Sequence, residues 1–177
     1  MMPAKSYLTL DFQLNSIYFS HALTYNIVLT FKNLNQMTTD SNKKLVEQLF
    51  KEVMNEKNLS FVDKSFAPNF KHHGIPGAQG GPAGFKATYQ KFIDAFPDIQ
   101  VHPEHFIAEG DLVATRGEMT GTNKGSFMGA APAGKKFRID YIDIWKVKDG
   151  KFTENWVSMD TTGIMTQVGL MPAHETA

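Results

Sequence analysis

The sequence predicts an α+β domain, with helices packed on one face of an antiparallel sheet. Three observations carry that expectation. Leu45, Val46, Leu49, Phe50, Val53 and Met54 recur at the spacing of one helical face. After Pro97 the hydrophobic period changes from helical to strand-like. Asp149-Gly150, set between two alternating stretches, is a strong signal for a tight hairpin. Helices first and strands afterwards give an α+β arrangement rather than alternating βαβ units.

The elements follow in order. Residues 1–36, with Asp11, Asn15, His21 and Asn26 scattered among apolar residues, keep neither period for long, and they lack the charged start and compact apolar stretch of a secretory signal. Met37 precedes a stretch with the look of an ordinary protein start, so 1–36 is expected to be an extension outside the fold, as from an upstream start codon, and 37–177 to be the domain; the alternative is an extra strand or helix on the surface. A first helix carries Leu45 to Met54, with Asp40 or Ser41 able to cap it. A short helix spans Leu59 to Ser65, and "NFKHHG" is a brief extended piece. "GAQGGPAG" is a loop, and Pro82 suits the first turn of a helix that buries Phe85, Tyr89, Phe92 and Ile93 and stops before Pro97. Two strands meet at Glu109-Gly110 and two more at Asp149-Gly150, while "NKGSFMGAAPAGK" is a loop suited to a cavity rim.

Composition narrows the function classes. The 177 residues suit one domain with a sizeable core, and 42% hydrophobic with 20% charged residues is ordinary for a globular chain. Lys plus Arg equals Asp plus Glu at 18 each, so no electrostatic case exists for nucleic acid or an anionic membrane. No cysteine means no disulfide, thiolate nucleophile or Cys-based metal site, and a cytoplasmic location is expected. No apolar run reaches the ~18 residues of a membrane span. The 14 Phe suggest an aromatic core or pocket.

A two-residue turn at Asp149-Gly150 makes Lys148 face Lys151, and counting back pairs Trp145 with Glu154, Asp143 with Trp156, Tyr141 with Ser158, and Ile139 with Asp160. One face then carries Tyr141, Asp143, Trp145, Glu154, Trp156, Ser158 and Asp160; the other carries Ile142, Ile144, Asn155, Val157 and Met159. The aromatic face has more apolar area to bury and is expected under the helices. A three-residue loop would instead group Tyr141, Asp143 and Trp145 with Asn155, Val157 and Met159.

Carboxylates on a buried aromatic face suggest a cavity lining rather than a plain core. Asp160 has two readings: it caps a helix starting near "TTGIMTQ", or burial raises its pKa into the range of a general acid/base. Asp143 is mid-strand with no helix to cap, so it either bonds an indole or Arg116, or does acid/base work. Glu154, nearer the turn, reaches towards water. His73 is either a hydrogen-bonded structural residue or a functional one, and His72 must point the other way. Arg116 needs a partner, as a salt bridge or as a substrate clamp. His102 and His105 lack zinc-protease spacing and project to opposite faces of a plain strand, so no metal site is expected. No Gly-rich phosphate loop or hydrolase triad signature is present.

"FAPNFKHHG", "FPDIQV", "AEGDLVATRGEMTGTNKGSFMG", "PAGKKF", "DIWKVKDGKFTENWVSMD" and "GIMTQVGLMP" occur in the order seen in SnoaL-like polyketide cyclases, also called ester cyclases, and about residues 40–172 resemble that family. The resemblance implies the cone-shaped α+β barrel shared with ketosteroid isomerase and scytalone dehydratase, with helices closing over a strongly curved sheet around one apolar cavity. It implies intramolecular aldol ring closure by an aspartate, with no metal or cofactor. It places Asp160 in the cavity and His73 near its mouth. The cyclases pair their aspartate with a histidine on the preceding strand; "FRIDYIDIWKV" has none, and Asp143 is the nearest polar residue to that place.

The sequence therefore points to a cofactor-independent enzyme acting on a small, apolar, oxygenated molecule. Asp160 is the acid/base and Asp143 the reserve; Tyr141, Trp145 and Trp156 form cavity walls; Arg116 or His73 orients polar groups. A non-catalytic carrier of such a ligand is the second reading, and a dehydratase or hydrolase on the same cone the third. Ile142, Ile144, Val157 and Met159, read as an outward apolar strip, suggest a homodimer.

Overall fold

The structure is a computed structural model that describes residues 4–172, without the side chains of 4–23, 35 and 37. Asp11, Asn15, His21 and Met37 therefore fall outside the described side chains. The chain divides into two compact units, Met1–Thr38 and Thr39–Ala177.

A single helix, α1, runs over Ala4–Leu49. The sequence shows no sustained period in its first 36 residues, yet hydroxyl side chains fit the helix by bonding back one turn: Thr30 donates to Asn26 O (2.8 Å) and Thr38 to Leu34 O (3.0 Å). Asp40 and Ser41, expected as caps, lie inside this continuous helix. Within the first unit Tyr25, Val28, Phe31 and Leu34 are exposed. Among the described residues, no helix is long and apolar enough to cross a membrane.

In the second unit the end of α1 widens into a π-helical segment, Phe50–Asn55. Val46, Leu49, Phe50, Val53 and Met54 are buried, as the periodicity predicts. The elements that follow are α2 (Ser60–Ser65), β1 (Phe66–His73), α3 (Gly81–Ala95), β2 (Gln100–Glu109), β3 (Leu112–Thr122), β4 (Lys136–Lys148), β5 (Lys151–Met159) and α4 (Thr161–Gln167). The five strands form one sheet in the order β1-β5-β4-β3-β2, and the helices pack on it, so the α+β fold is as the sequence predicts. One feature differs from an all-antiparallel sheet: β1 pairs with β5 in parallel.

Rings fill the core at one end: Phe66 lies 4.5 Å from Phe70, 4.8 Å from Phe85 and 5.0 Å from Phe152, centroid to centroid. Two polar clasps tie the helical layer to the sheet. Asn55 accepts from Val101 N (2.8 Å) and donates to Val101 O (2.9 Å). Gln167 does the same for the backbone of Arg138, where β5 no longer runs alongside β4.

The hairpin turn is as expected: Asp149 (φ 52°) and Gly150 (φ 70°) are both left-handed, and Lys148 faces Lys151. The register beyond it is not. Val147 pairs with Phe152 but Lys146 pairs with Glu154, so Thr153 is an extra residue, a β-bulge, and its hydroxyl donates to Lys146 O (3.2 Å). From there the pairs are Trp145 with Asn155, Asp143 with Val157, and Tyr141 with Met159. Because strand side chains alternate, one extra residue moves the rest of β5 to the other face. Asn155, Val157 and Met159 therefore face the helices, whereas Glu154, Trp156 and Ser158 share the outer face with Ile142 and Ile144. The face grouping of the three-residue-loop alternative is reached, but by a bulge.

A second bulge acts in β2. Pro103 pairs with Gly117 and His105 with Arg116, leaving Glu104 extra. His102 and His105 consequently share the outer face, contrary to the alternation expected of a plain strand. Gly117 is required here: a Cβ on it would lie 2.1 Å from His102 O. Among the described residues no group of three or more His, Asp or Glu is arranged to hold a metal ion.

Candidate functional site

Between the helical layer and the inner face of the sheet lies a chamber of about 60 Å³. Phe50 and Met54 line it from the π-helical segment; Phe85, Thr88, Tyr89 and Phe92 from α3; His72 from β1; Tyr141, Asp143 and Trp145 from β4; and Asn155, Val157 and Met159 from β5. A larger vestibule of about 590 Å³ adjoins it and shares Ile75, Thr88, Phe92 and Met159. Gly74 to Ala78 and Ser126 to Gly129 form much of the vestibule wall, so the Gly/Ala-rich loop is at a cavity rim as the sequence suggests. Asn123, fully buried, pins that loop by donating to Gly125 O (2.9 Å) and accepting from Ala133 N (2.7 Å).

Asp143 is the carboxylate of the chamber. It is 5% exposed, and its cross-strand neighbour Thr115, 2% exposed, donates its hydroxyl to Asp143 Oδ1. Burial pushes the carboxyl from 3.8 up to about 7, against the opposing pull of the Thr115 hydroxyl and the Trp145 indole. The indole N–H is near enough to favour the carboxylate yet closes no hydrogen bond of ordinary geometry.

The other titratable groups of the lining stay neutral at pH 7. Burial, with the Asp143 charge second, pushes the Tyr141 phenol upward, against the pull of the nearby Thr115 hydroxyl, which closes no hydrogen bond of ordinary geometry with it. Burial does the same to Tyr89, which donates to Met54 O (2.7 Å). Burial first, and His73 second, lower His72 from 6.5 to about 4. His72 Nδ1, Tyr141 Oη and Trp145 Nε1 are buried polar atoms without a partner, and all three belong to residues of this chamber. Such groups are few in native proteins, and their concentration at one place marks a site.

Of the residues the sequence proposes, Asp143, Tyr141 and Trp145 come together here. The rest do not. Asp160 is exposed at the N-terminus of α4 and accepts from Gly163 N (2.7 Å), the capping alternative; the Thr153 bulge removes the inward direction assigned to it. His73, placed near the cavity mouth by the resemblance, lies on the outer face, 2.9 Å from Glu154 Oε1, with its ring stacked on Trp156 at 5.4 Å. Glu154 and Trp156 lie there through the same bulge, and Trp156 is 37% exposed rather than a cavity wall. The His73 hydrogen bond holds the Glu154 carboxyl below its ordinary value. Arg116 pairs with Glu104 and with Asp140 (3.1 Å) on that same face, the salt-bridge alternative.

Sequence reasoning missed His72, Thr115 and Asn155. Asn155 follows from the β4–β5 register once the bulge is placed, and Thr115 from the unbroken β3–β4 register. His72 requires the parallel β1–β5 pairing, in which it sits opposite Asn155.

The comparisons with known proteins agree with this architecture. A family model described as SnoaL-like polyketide cyclase matches residues 44–168. No curated protein matches the chain. Among solved structures, AclR from Streptomyces galilaeus, described as a candidate hydroxylase, is 26% identical at a TM-score of 0.68, over 76% of this chain and 85% of its own. IdmH from Streptomyces antibioticus, described as a candidate polyketide cyclase, is 26% identical at a TM-score of 0.63, over 72% of this chain and 98% of its own. A candidate polyketide cyclase from Bacillus cereus is 30% identical at a TM-score of 0.58, over 67% of this chain and 74% of its own.

Proposed function

The chain belongs to the SnoaL-like polyketide cyclase family, and on that premise we propose that it is a cofactor-independent enzyme in which Asp143 is the general acid/base. The observation that carries this reading is a carboxyl inside an apolar chamber, raised to about 7 with no charged partner among the described residues of the lining. Near neutrality such a group is populated in both forms, the condition for giving and taking protons at one site.

The chemistry follows from the lining. The Asp143 carboxylate takes a proton from a carbon next to a substrate carbonyl. Tyr141 O–H and Trp145 N–H, unpartnered in the fold, are donors for the oxygen that gains charge. The enolate carbon can then attack a second carbonyl of the same molecule, closing a ring, and protonated Asp143 returns its proton to the new alkoxide. A chamber of about 60 Å³ holds only a few atoms, whereas the vestibule of about 590 Å³ is within the usual range for ligand sites. A substrate would thus put its reacting end inside and its apolar body outside.

Solvent exchange tests this without the natural substrate. Wild-type protein in D₂O should accelerate deuterium uptake at the acidic carbon of 2-tetralone, read by proton NMR, and Asp143→Asn should return it to background. Saturable binding of the ketone with no acceleration would instead support the carrier reading.

The same reading keeps a cytoplasmic homodimer, supported by the cysteine-free chain and by Ile142, Ile144 and Trp156 exposed together on the outer face. Val157 and Met159 leave that strip because they face the chamber. Residues 1–36 are read as an extension that adds nothing to the domain core: among the described residues, burial begins at Asn42 and Val46, so removing 1–36 should leave the melting temperature nearly unchanged.

A further inference from the structure

The bond between Thr115 and Asp143 has a direction. A carboxylate only accepts, so the Thr115 hydroxyl must be the donor whenever Asp143 is ionised, and that bond is stronger than one to the neutral acid. The two residues are a direct cross-strand pair on the inner face, which sets their side chains side by side. Threonine is β-branched and stiff about χ1, so its hydroxyl is held where the strand puts it. Among the described residues, no hydrogen bond goes to Asp143 Oδ2, and Asp143 is one of the residues that line the chamber.

We propose that Thr115 is the positioning residue of the site: it fixes Asp143 Oδ1 and leaves Oδ2 as the oxygen that exchanges a proton with the substrate. This rests on Asp143 being the acid/base. Among the described residues, the titratable groups that share the chamber are Tyr141 on the same strand, Tyr89 from α3 and His72 from β1, and no Lys, Arg or Glu lines it. The Thr115 hydroxyl is the strongest single force favouring the ionised form, ahead of the Trp145 indole. Without it, the carboxyl should hold its proton to higher pH. A merely structural threonine, present because β-branched residues suit strands, predicts no such change.

The test follows the Asp143 carboxyl carbon by NMR through a pH titration, assigned by its loss in Asp143→Asn. In Thr115→Val, which keeps shape and strand preference, the midpoint should rise by roughly one pH unit or more. Thr115→Ser should stay close to wild type. The pH profile of 2-tetralone exchange should move with the midpoint, losing about fivefold at pH 7 and recovering at higher pH. A wild-type midpoint near 7 that is unchanged in Thr115→Val would overturn the positioning role and leave the acid/base reading standing. A wild-type midpoint near 4 would overturn both. Thr115→Ala replaces the valine variant if that one does not fold. In the wild-type protein a slowly exchanging Thr115 hydroxyl proton should shift along the Asp143 titration, and a hydroxyl exchanging freely with water would sink the proposal without any variant.

Discussion

The two faces of the sheet use the same kinds of side chain to opposite ends. On the outer face every carboxylate of the central strands meets a cation or an imidazole: Glu118 with Arg138 (2.8 Å to Nε), Asp140 with Arg116 (3.1 Å), Glu154 with His73 (2.9 Å). Hydrogen bonds there hold Glu118 and Glu154 below the ordinary carboxylate range. On the inner face Asp143 meets a hydroxyl and an indole but, among the described residues, no cation, and burial takes its pKa the other way. Desolvation without a counter-charge, rather than the presence of a carboxylate, is what lifts a carboxyl towards the range of a general acid/base. A carboxylate count along a strand cannot make that distinction; the face can.

The largest effect that would break the contrast is on rate. Asp143→Asn should lower turnover by ~10²–10⁴-fold with little change in ligand affinity, while Glu154→Gln on the outer face should leave kcat and KM as they are. Steady-state kinetics on the two variants side by side checks this, and equal losses would show that the faces do not differ in chemistry.

The next effect is on stability. Asp143 has a folded pKa raised from 3.8 to about 7, so the folded state binds its proton more tightly than the unfolded state. That contribution is fully present below about pH 4 and is lost as pH rises through about 7, at most about 4 kcal/mol in all. Asp143→Asn should remove this alkaline loss, making the variant more stable than wild type at pH 8 in urea unfolding. His72 works in the opposite sense. Its folded pKa is lowered from 6.5 to about 4, so it weakens the fold as pH falls through that window. His72→Phe should flatten the acid side of the same profile.

A smaller effect concerns the bulge. Removing Thr153 leaves Phe152 inward, Glu154 outward and Asn155 inward, the faces they have now. The deletion variant should fold with a loss of no more than about 2 kcal/mol. A protein that fails to fold would mean the extra residue supplies curvature the sheet cannot do without.

That bulge also marks where the sequence stopped being legible. Helical spacing from Leu45 to Met54 gave the buried face of the helix, because packing follows periodicity. The inward direction of Tyr141, Asp143 and Trp145 followed from their bulk on one side of β4. Thr153 carries no such signal; threonine suits a plain strand as well as a bulge. The one clue was composition, since Val157 and Met159 alternate with Glu154, Ser158 and Asp160 as a half-buried strand should. His72 was out of reach for another reason. Its place depends on the pairing of β1 with β5, about eighty residues away in sequence, and no local pattern encodes a distant partner.

The smallest effects belong to the outer surface. Ile142→Asp should weaken self-association, seen by sedimentation at micromolar concentration, with the fold intact. Arg138→Ala, breaking an exposed pair with Glu118, should barely move the melting temperature.

The contrast between the faces can be read in a single sample. Carboxyl-carbon NMR on the wild-type protein, followed from acid to alkaline pH, reports Asp143 and Glu154 together. The midpoint of Asp143 should fall near 7 and that of Glu154 below its ordinary 4.5. Two midpoints together near 4 would mean that the chamber does not desolvate its carboxyl, and Asp143 would have no claim to be the acid/base.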